Sequence, residues 1–251
     1  DLSTLPARLI VLGGGPVGCE LAQAFRRLGA EVRLVEMQSI LPKDDPEAVE
    51  VVRQRLRAEG IALYEEAKAT RVEAVGDGLR LSIETRDGER TIDGSHMLVA
   101  AGRRARVEGL GLDAAGIAHR PDGITVDSRL RTSNRRVYAI GDVTGGLQFT
   151  HVGAHHAAVV IRNALFRLPA KVESAALPWV TYTDPELAQV GLGEEAARAR
   201  HRRIRVLRAA FAENDRGVTG RNRDGFVKAI TDRRGRILGA TILGPHAGEL
   251  I

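Results

Sequence analysis

The chain is 251 residues long, 43% hydrophobic and 4% aromatic, with a single cysteine; that length buries a sizeable core in one large or two smaller domains, and one cysteine excludes an internal disulfide and a cysteine-rich metal site. No apolar run approaches the roughly 20 residues of a membrane-spanning helix, so no membrane role is expected. The formal net charge of +5 comes from scattered arginines with few rings between them, which predicts a solvated surface with no nucleic-acid partner, and the lone thiol without an export signal predicts a cytoplasmic location.

Leu9 to Leu12 is a continuous apolar run of strand length, the pattern of a parallel strand covered on both faces. Gly13, Gly15 and Gly18 follow as G-x-G-x-x-G. The first glycine permits a tight turn, the second lets a pyrophosphate approach the backbone, and the third lets a helix lie close to the strand. Gly14, Pro16 and Val17 complete this loop, and Pro16 suits the first turn of a helix. Val17, Leu21, Ala24, Phe25 and Leu28 then recur at helical spacing up to Gly29, with the N-terminal amides and dipole aimed where a diphosphate would sit. Val32, Leu34 and Val35 supply a second strand ending on Glu36, eighteen residues after Gly18. A spacing of roughly 20 is that of the carboxylate which accepts hydrogen bonds from ribose hydroxyls. An acid there repels a 2′-phosphate, so the expected cofactor is NAD, with NADH preferred over NADPH.

Asp45-Pro46-Glu47 starts a helix continued by Ala48, Val51, Val52 and Leu56 to Gly60, and Ile61 to Tyr64 resumes as strand. Arg71–Val75, Leu79–Thr85 and Glu89–Ile92, punctuated by Gly76-Asp77-Gly78 and Asp87-Gly88, predict an antiparallel meander. His96 to Ala101 returns as an apolar strand that breaks at Gly102. Further on, Val137 to Ile140 reads as a buried strand delivering Gly141 and Asp142 at its carboxyl end, where open α/β sheets bind ligands. Ala154 to Leu165 reads as a helix. Beyond Pro169, Trp179–Tyr182, Ile204–Ala209, Gly225–Thr231 and Ile237–Leu243 read as the strands of a separate α+β unit. Cys19 is expected as a small buried residue. His155 and His156 diverge around a helix without companion ligands, so no metal site is expected.

Four blocks in order, "GGGPVGCELAQAFRRLGAEVRLVE", "VAAGRRARVEGLGL", "VYAIGDVTGG" and "VTYTDPELAQVGLGE", resemble the class I pyridine nucleotide-disulfide oxidoreductases, the group of dihydrolipoamide dehydrogenase and mercuric reductase. The resemblance continues through "GFVKAI" and "GRILGATILGPHAGELI". It implies an α/β fold with a Rossmann-like NAD-binding domain over 8–102 carrying the antiparallel meander, preceded by a linker over 1–7. A second segment of an FAD-binding domain is implied over 103–168, and a truncated α+β interface domain over 169–251. The family's first FAD segment, its redox cysteine pair and its C-terminal His-x-x-x-x-Glu have no counterpart in these residues. The expectation is therefore a fragment that binds NAD without catalysing on its own.

By the same resemblance, Gly13, Gly14, Gly15, Pro16, Val17, Gly18 and Glu36 hold the NAD, and Gly102 lies at its nicotinamide end. Glu20 matches the glutamate that pairs with a flavin-side lysine, the one catalytic role implied; it reads equally well as an acid stabilised by the helix dipole. Gly141 and Asp142 match the flavin diphosphate and ribityl contacts, and Thr150, His151 and Val152 match a turn whose amides face the flavin. The implied cofactors of the whole protein are NAD and FAD, with hydride passing from NADH to FAD and on to a disulfide or mercuric ion. Two other readings stay open, a flavin transhydrogenase or NADH oxidase without the disulfide, and a stand-alone NAD-binding or assembly module. The implied partners are a small-molecule or disulfide substrate and a second copy in a homodimer. Trp179, Val180, Tyr182 and Leu187 are candidates for that contact or for an internal core.

Overall fold

The computed structural model describes residues 2–251; Asp1, at the start of the expected leading linker, lies outside them. The fold is α/β, in two compact units: Asp1–Gly102 together with Pro178–Ile251, and Arg103–Leu177.

The first unit opens with β1 (Arg8–Leu12), α1 (Pro16–Arg27), β2 (Glu31–Val35), α2 (Pro46–Ala58) and β3 (Ala62–Tyr64). The meander β4 (Lys68–Val75), β5 (Gly78–Thr85) and β6 (Gly88–Gly94) leads to β7 (His96–Val99). Strands β3-β2-β1-β7 form a parallel sheet in that order. The apolar run of β1 is explained by what covers it. Leu9 and Val11 pack with Cys19, Ala22, Val52 and Leu56 of the two helices, whereas Ile10 packs with Leu81, Ile83 and Ile92 of the meander. Alternate side chains of a strand point to opposite faces, so both faces must be apolar. Asp45 begins α2 by accepting from the amides of Glu47 (3.0 Å) and Ala48 (3.4 Å), with Pro46 in the first turn.

The second unit contains the short pair β8 (His119–Arg120) and β9 (Gly123–Ile124), long irregular stretches, and α3 (Thr150–Ala164). Two small cores hold it, one around Val107, Leu112, Ile117 and Ala139 and one around Leu130 and Val159. The strand expected over Val137–Ile140 does not form. This segment pairs through one antiparallel bridge of Tyr138 with Arg131, made by the bonds from Thr132 N to Val137 O and from Ala139 N to Leu130 O, and Ile140 remains 41% exposed. Leu130 leaves the extended conformation with φ 65°, and no ladder continues past that bridge. The α3 helix begins at Thr150, four residues before the expected start.

The chain then returns to the first unit as β10 (Pro178–Thr181), β11 (Glu186–Gly191), α4 (Glu194–Arg200), β12 (Ile204–Ala210), α5 (Asp215–Thr219), β13 (Phe226–Asp232), β14 (Ile237–Gly244) and α6 (Ala247–Leu250). The antiparallel order β10-β11-β14-β13-β12 makes β11 an inner strand, although the sequence reading missed it. Leu187, Phe226 and Leu243 join the same core as α1 and α2. Leu187 therefore belongs to an internal core, and Trp179 is half-buried with its indole bonded to Asp44, whereas Tyr182 stays 66% exposed.

Register lines up Trp179, Gln189, Thr241, Lys228 and Arg208 across the sheet, and directly paired residues share a face. This row meets the start of α2. Trp179 Nε1 donates to Asp44 Oδ1 (2.7 Å), Lys228 Nζ lies 2.8 and 2.9 Å from the Asp45 oxygens, and Arg208 Nε donates to Glu47 (2.7 Å). Among the described residues no helix is long and apolar enough to cross a membrane.

Candidate functional site

The glycine loop between β1 and α1 has the geometry its spacing predicts. Gly13 has φ +111°, and a Cβ there would lie 2.4 Å from Ala100 O beyond β7. A Cβ on Gly18 would lie 1.9 Å from Gly13 O, so α1 is pressed against the loop at that point. Gly15 differs, because a Cβ there would meet nothing within 4 Å. Its missing side chain leaves open space outside the loop. No side chain caps α1, whose first helical residue is Pro16, so its first-turn amides face that space. Val17 is 52% exposed on the same turn.

Glu36 lies one residue past β2 and is half-buried. Its Oε2 accepts from Gly14 N at 2.6 Å and its Oε1 from Gln38 N at 2.8 Å. A carboxylate offers about four lone-pair directions, so two amides fix its orientation while leaving capacity for two hydroxyls. Leu41 N donates to Gly14 O at 2.9 Å and binds the same loop from beneath. Gly102 has φ +104° with nothing within 4 Å of a Cβ.

Glu20 sits in the second turn of α1, past the reach of the helix-terminal charge. Its Oε1 accepts from Tyr182 N at 2.8 Å. Burial raises its pKa, and that amide bond pulls it partly back. Gln23 and Arg27 continue along this helix. Gln23 takes both the N–H and the carbonyl of Asp184 (2.8 and 3.0 Å), and Arg27 meets the Asp184 carboxylate at 2.7 Å. Sequence reading missed Gln23 and Arg27, because their partners stand some 160 positions away and leave no local pattern. Cys19 is buried, its thiol 3.3 Å from Gly14 O. Burial, then the charges of Glu20 and Glu36, push its pKa up.

In the second unit, Gly141 and Asp142 begin a short 3-10 turn (Gly141–Thr144). Arg103 Nη1 lies 3.2 Å from Asp142 Oδ2, and the same guanidinium donates to Gln148 O. The Gly141 amide, expected beside a diphosphate, donates instead to His156 Nδ1 at 3.1 Å. Burial, with neighbouring His155 adding to it, lowers the pKa of His156, which keeps that nitrogen an acceptor. Thr150, His151 and Val152 form the first turn of α3, and no side chain caps it. Among the described residues no group of three or more His, Cys, Asp or Glu converges to hold a metal ion.

The residues fit the cofactors. Open space at Gly15, an uncapped helix start and a pre-oriented Glu36 suit a dinucleotide. An Asp142 carboxylate about half exposed beside another uncapped helix suits a polyol and diphosphate chain.

Residues 1–157 match the family model described as pyridine nucleotide-disulphide oxidoreductase, and residues 177–251 match that family's dimerisation domain. The chain is 37% identical to a mercuric reductase of Streptomyces lividans over 258 aligned residues, covering 100% of this chain and 53% of that protein. It is 39% identical to a dihydrolipoyl dehydrogenase of Thermus scotoductus over 252, covering 98% of this chain and 54% of that protein. Among solved structures it is similar to LpdA of Mycobacterium tuberculosis, with TM-score 0.92 and 33% identity, over 100% of this chain and 55% of that one. The chain thus spans about half the length of the curated relatives it matches. Two matched models in family order, laid on a glycine loop, acid and five-stranded C-terminal sheet, show that the chain belongs to the pyridine nucleotide-disulphide oxidoreductase family.

Proposed function

We propose that this chain is the nucleotide-binding and dimerisation part of an FAD-dependent disulfide oxidoreductase that takes its electrons from NADH. The carrying observation is the open face at Gly15 against an uncapped α1, with Glu36 fixed beside it by Gly14 N. The α1 amides bind the diphosphate, and the free lone pairs of Glu36 accept from the ribose hydroxyls. A 2′-phosphate would stand against that carboxylate, so NADPH binds more weakly. The nicotinamide supplies a hydride and the flavin relays the electron pair to a disulfide or another acceptor. Asp142 orients the flavin chain, and the positive end of α3 faces the flavin, the Val152 amide itself being held by Phe149 O at 3.1 Å. Gly102 leaves room at the nicotinamide end. Glu20, anchored through one oxygen by Tyr182 N, keeps the other for a lysine of the flavin side. Pairing of two C-terminal sheets makes the homodimer.

The test is calorimetry of the chain with NADH and NADPH. NADH binds more tightly, and Glu36→Ala narrows the difference; equal affinities in the unmutated chain overturn the preference. The 251 residues carry a single cysteine and so no thiol pair of their own, and the chain by itself shows no NADH turnover with lipoamide, glutathione disulfide or mercuric ion. Robust NADH-dependent turnover would overturn that part.

A further inference from the structure

The segment from Glu36 to Asp45 runs beneath the glycine loop and ends against the C-terminal sheet. A Cβ added to Gly14 would lie 2.9 Å from Ile40 Cγ2 and 3.0 Å from Glu36 Cβ, so loop and segment touch without slack. Leu41 is buried and has φ 46°, a conformation that a non-glycine residue keeps only where its surroundings impose it. Its N–H holds Gly14 O at 2.9 Å, and its carbonyl accepts from Asp44 N at 3.1 Å. Asp44 in turn accepts from Trp179 Nε1 at 2.7 Å. Three hydrogen bonds therefore run from Gly14 to β10. Asp44 is half-buried, and burial raises its pKa, opposed by the indole bond.

We propose that Asp44 and Trp179 are a positioning pair for the dinucleotide: the C-terminal sheet, through this bond, sets the height of the 36–41 segment and so the placing of Gly14 and the Glu36 carboxylate. The proposal rests on reading Gly13 to Glu36 as the NAD site. Neither residue belongs to that loop; each acts through Leu41. A site ordered before binding loses less freedom when the ligand arrives, so releasing the segment weakens binding. The route also runs in reverse, because coupling between two sites is reciprocal. A nucleotide that presses on Gly14 and Glu36 alters the surroundings of Trp179, the single tryptophan of the chain.

The test uses NAD+, because reduced nicotinamide absorbs where indole emits. Affinity is measured by calorimetry and Trp179 emission by titration, with urea midpoints to confirm folding. Asp44→Ala and Trp179→Phe each weaken NAD+ by about fivefold, and the double variant loses no more than either single. Asp44→Asn keeps a carbonyl oxygen for the indole and binds within about twofold of the unmutated chain. A merely structural pair would lower the urea midpoint without this rescue pattern. NAD+ shifts the emission of the unmutated chain and not that of Asp44→Ala. Unchanged affinity in folded Asp44→Ala and Trp179→Phe, or additive losses, overturns the proposal. If Trp179→Phe does not fold, Asp44→Ala affinity and the emission titration decide. Where Glu36→Ala weakens NAD+ and Asp44→Ala does not, only the positioning role falls; where the unmutated chain does not bind NAD+, the site reading falls and this proposal with it.

Discussion

Lys228 and Asp45, 183 positions apart, meet in a buried ion pair at 2.8 and 2.9 Å, and the same carboxylate caps α2. Glu47 Oε2 completes a triad at 2.8 Å from Nζ. Removing one member of such a group leaves an uncompensated buried charge. Lys228→Met is expected to destabilise the chain by about 3 kcal/mol, read by urea unfolding, and Asp45→Asn in the same chain should restore part of it. An additive double variant would show the pair to be uncoupled.

The same triad sets an acid limit. Bonding to Lys228, against some burial, holds Glu47 below the usual carboxylate range. The stability this gives is present above the unfolded pKa of about 4.3 and is lost as pH falls through the lower folded value. Unfolding midpoints measured from pH 6 downward should fall more steeply for the unmutated chain than for Lys228→Met.

Glu20 has the opposite sign. Burial raises its folded pKa, so the folded state binds the proton more tightly and ionisation costs stability as pH rises past the unfolded value of about 4.3. Glu20→Gln keeps an acceptor for Tyr182 N, and should equal or exceed the unmutated chain in stability at pH 7, the gain vanishing below about pH 4. Glu20→Ala, which leaves that amide unpaired, should lose about 1 kcal/mol.

Two glycines of one motif should separate binding from folding. Gly15→Ala meets nothing within 4 Å and should leave stability within about 0.5 kcal/mol while weakening NAD+ in calorimetry. Gly18→Ala drives a methyl into Gly13 O and should cost about 2 kcal/mol. A stable Gly18→Ala chain would refute the close approach.

Self-association is measurable by light scattering. Tyr182 and Leu250 are 66% and 63% exposed, and Tyr182 Cε1 lies 3.4 Å from where a Cβ on Gly248 would stand, which places β10 and α6 side by side. Mass should rise with concentration toward twice that of one chain, and Tyr182→Glu with Leu250→Glu should hold it at one. A monomer throughout the micromolar range counts against this face.

What the sequence made legible was local. Gly13 to Glu36 could be read because strand, glycines, helix and acid are consecutive, and each constrains the next. The four residues Val137–Ile140 carry a strand's composition, yet pair through a single isolated bridge, a fact that lies in their neighbours. The inner strand Glu186–Gly191 escaped notice because small and polar residues break its apolar alternation, although it pairs on both sides. The hydrogen bonds and the ion pair that fasten α1 and α2 to the C-terminal sheet and its loops join residues more than 130 positions apart. Composition there shows only charged and polar side chains, and their partners exist only once the chain has folded back.

That folding back orders events in time. The core around Leu9, Val11 and Val52 is completed by Leu187, Phe226 and Leu243, which a ribosome adds only after the whole of Arg103–Leu177 has been made. Domains made of contiguous chain can fold as they are synthesised. Here residues 2–102 are not such a unit, because one side of α2 and the Asp45 carboxylate are packed and paired by strands synthesised later, β13 carrying Lys228. The glycine loop at Gly13–Gly18 thus rests on a core that only chain made after Leu177 completes.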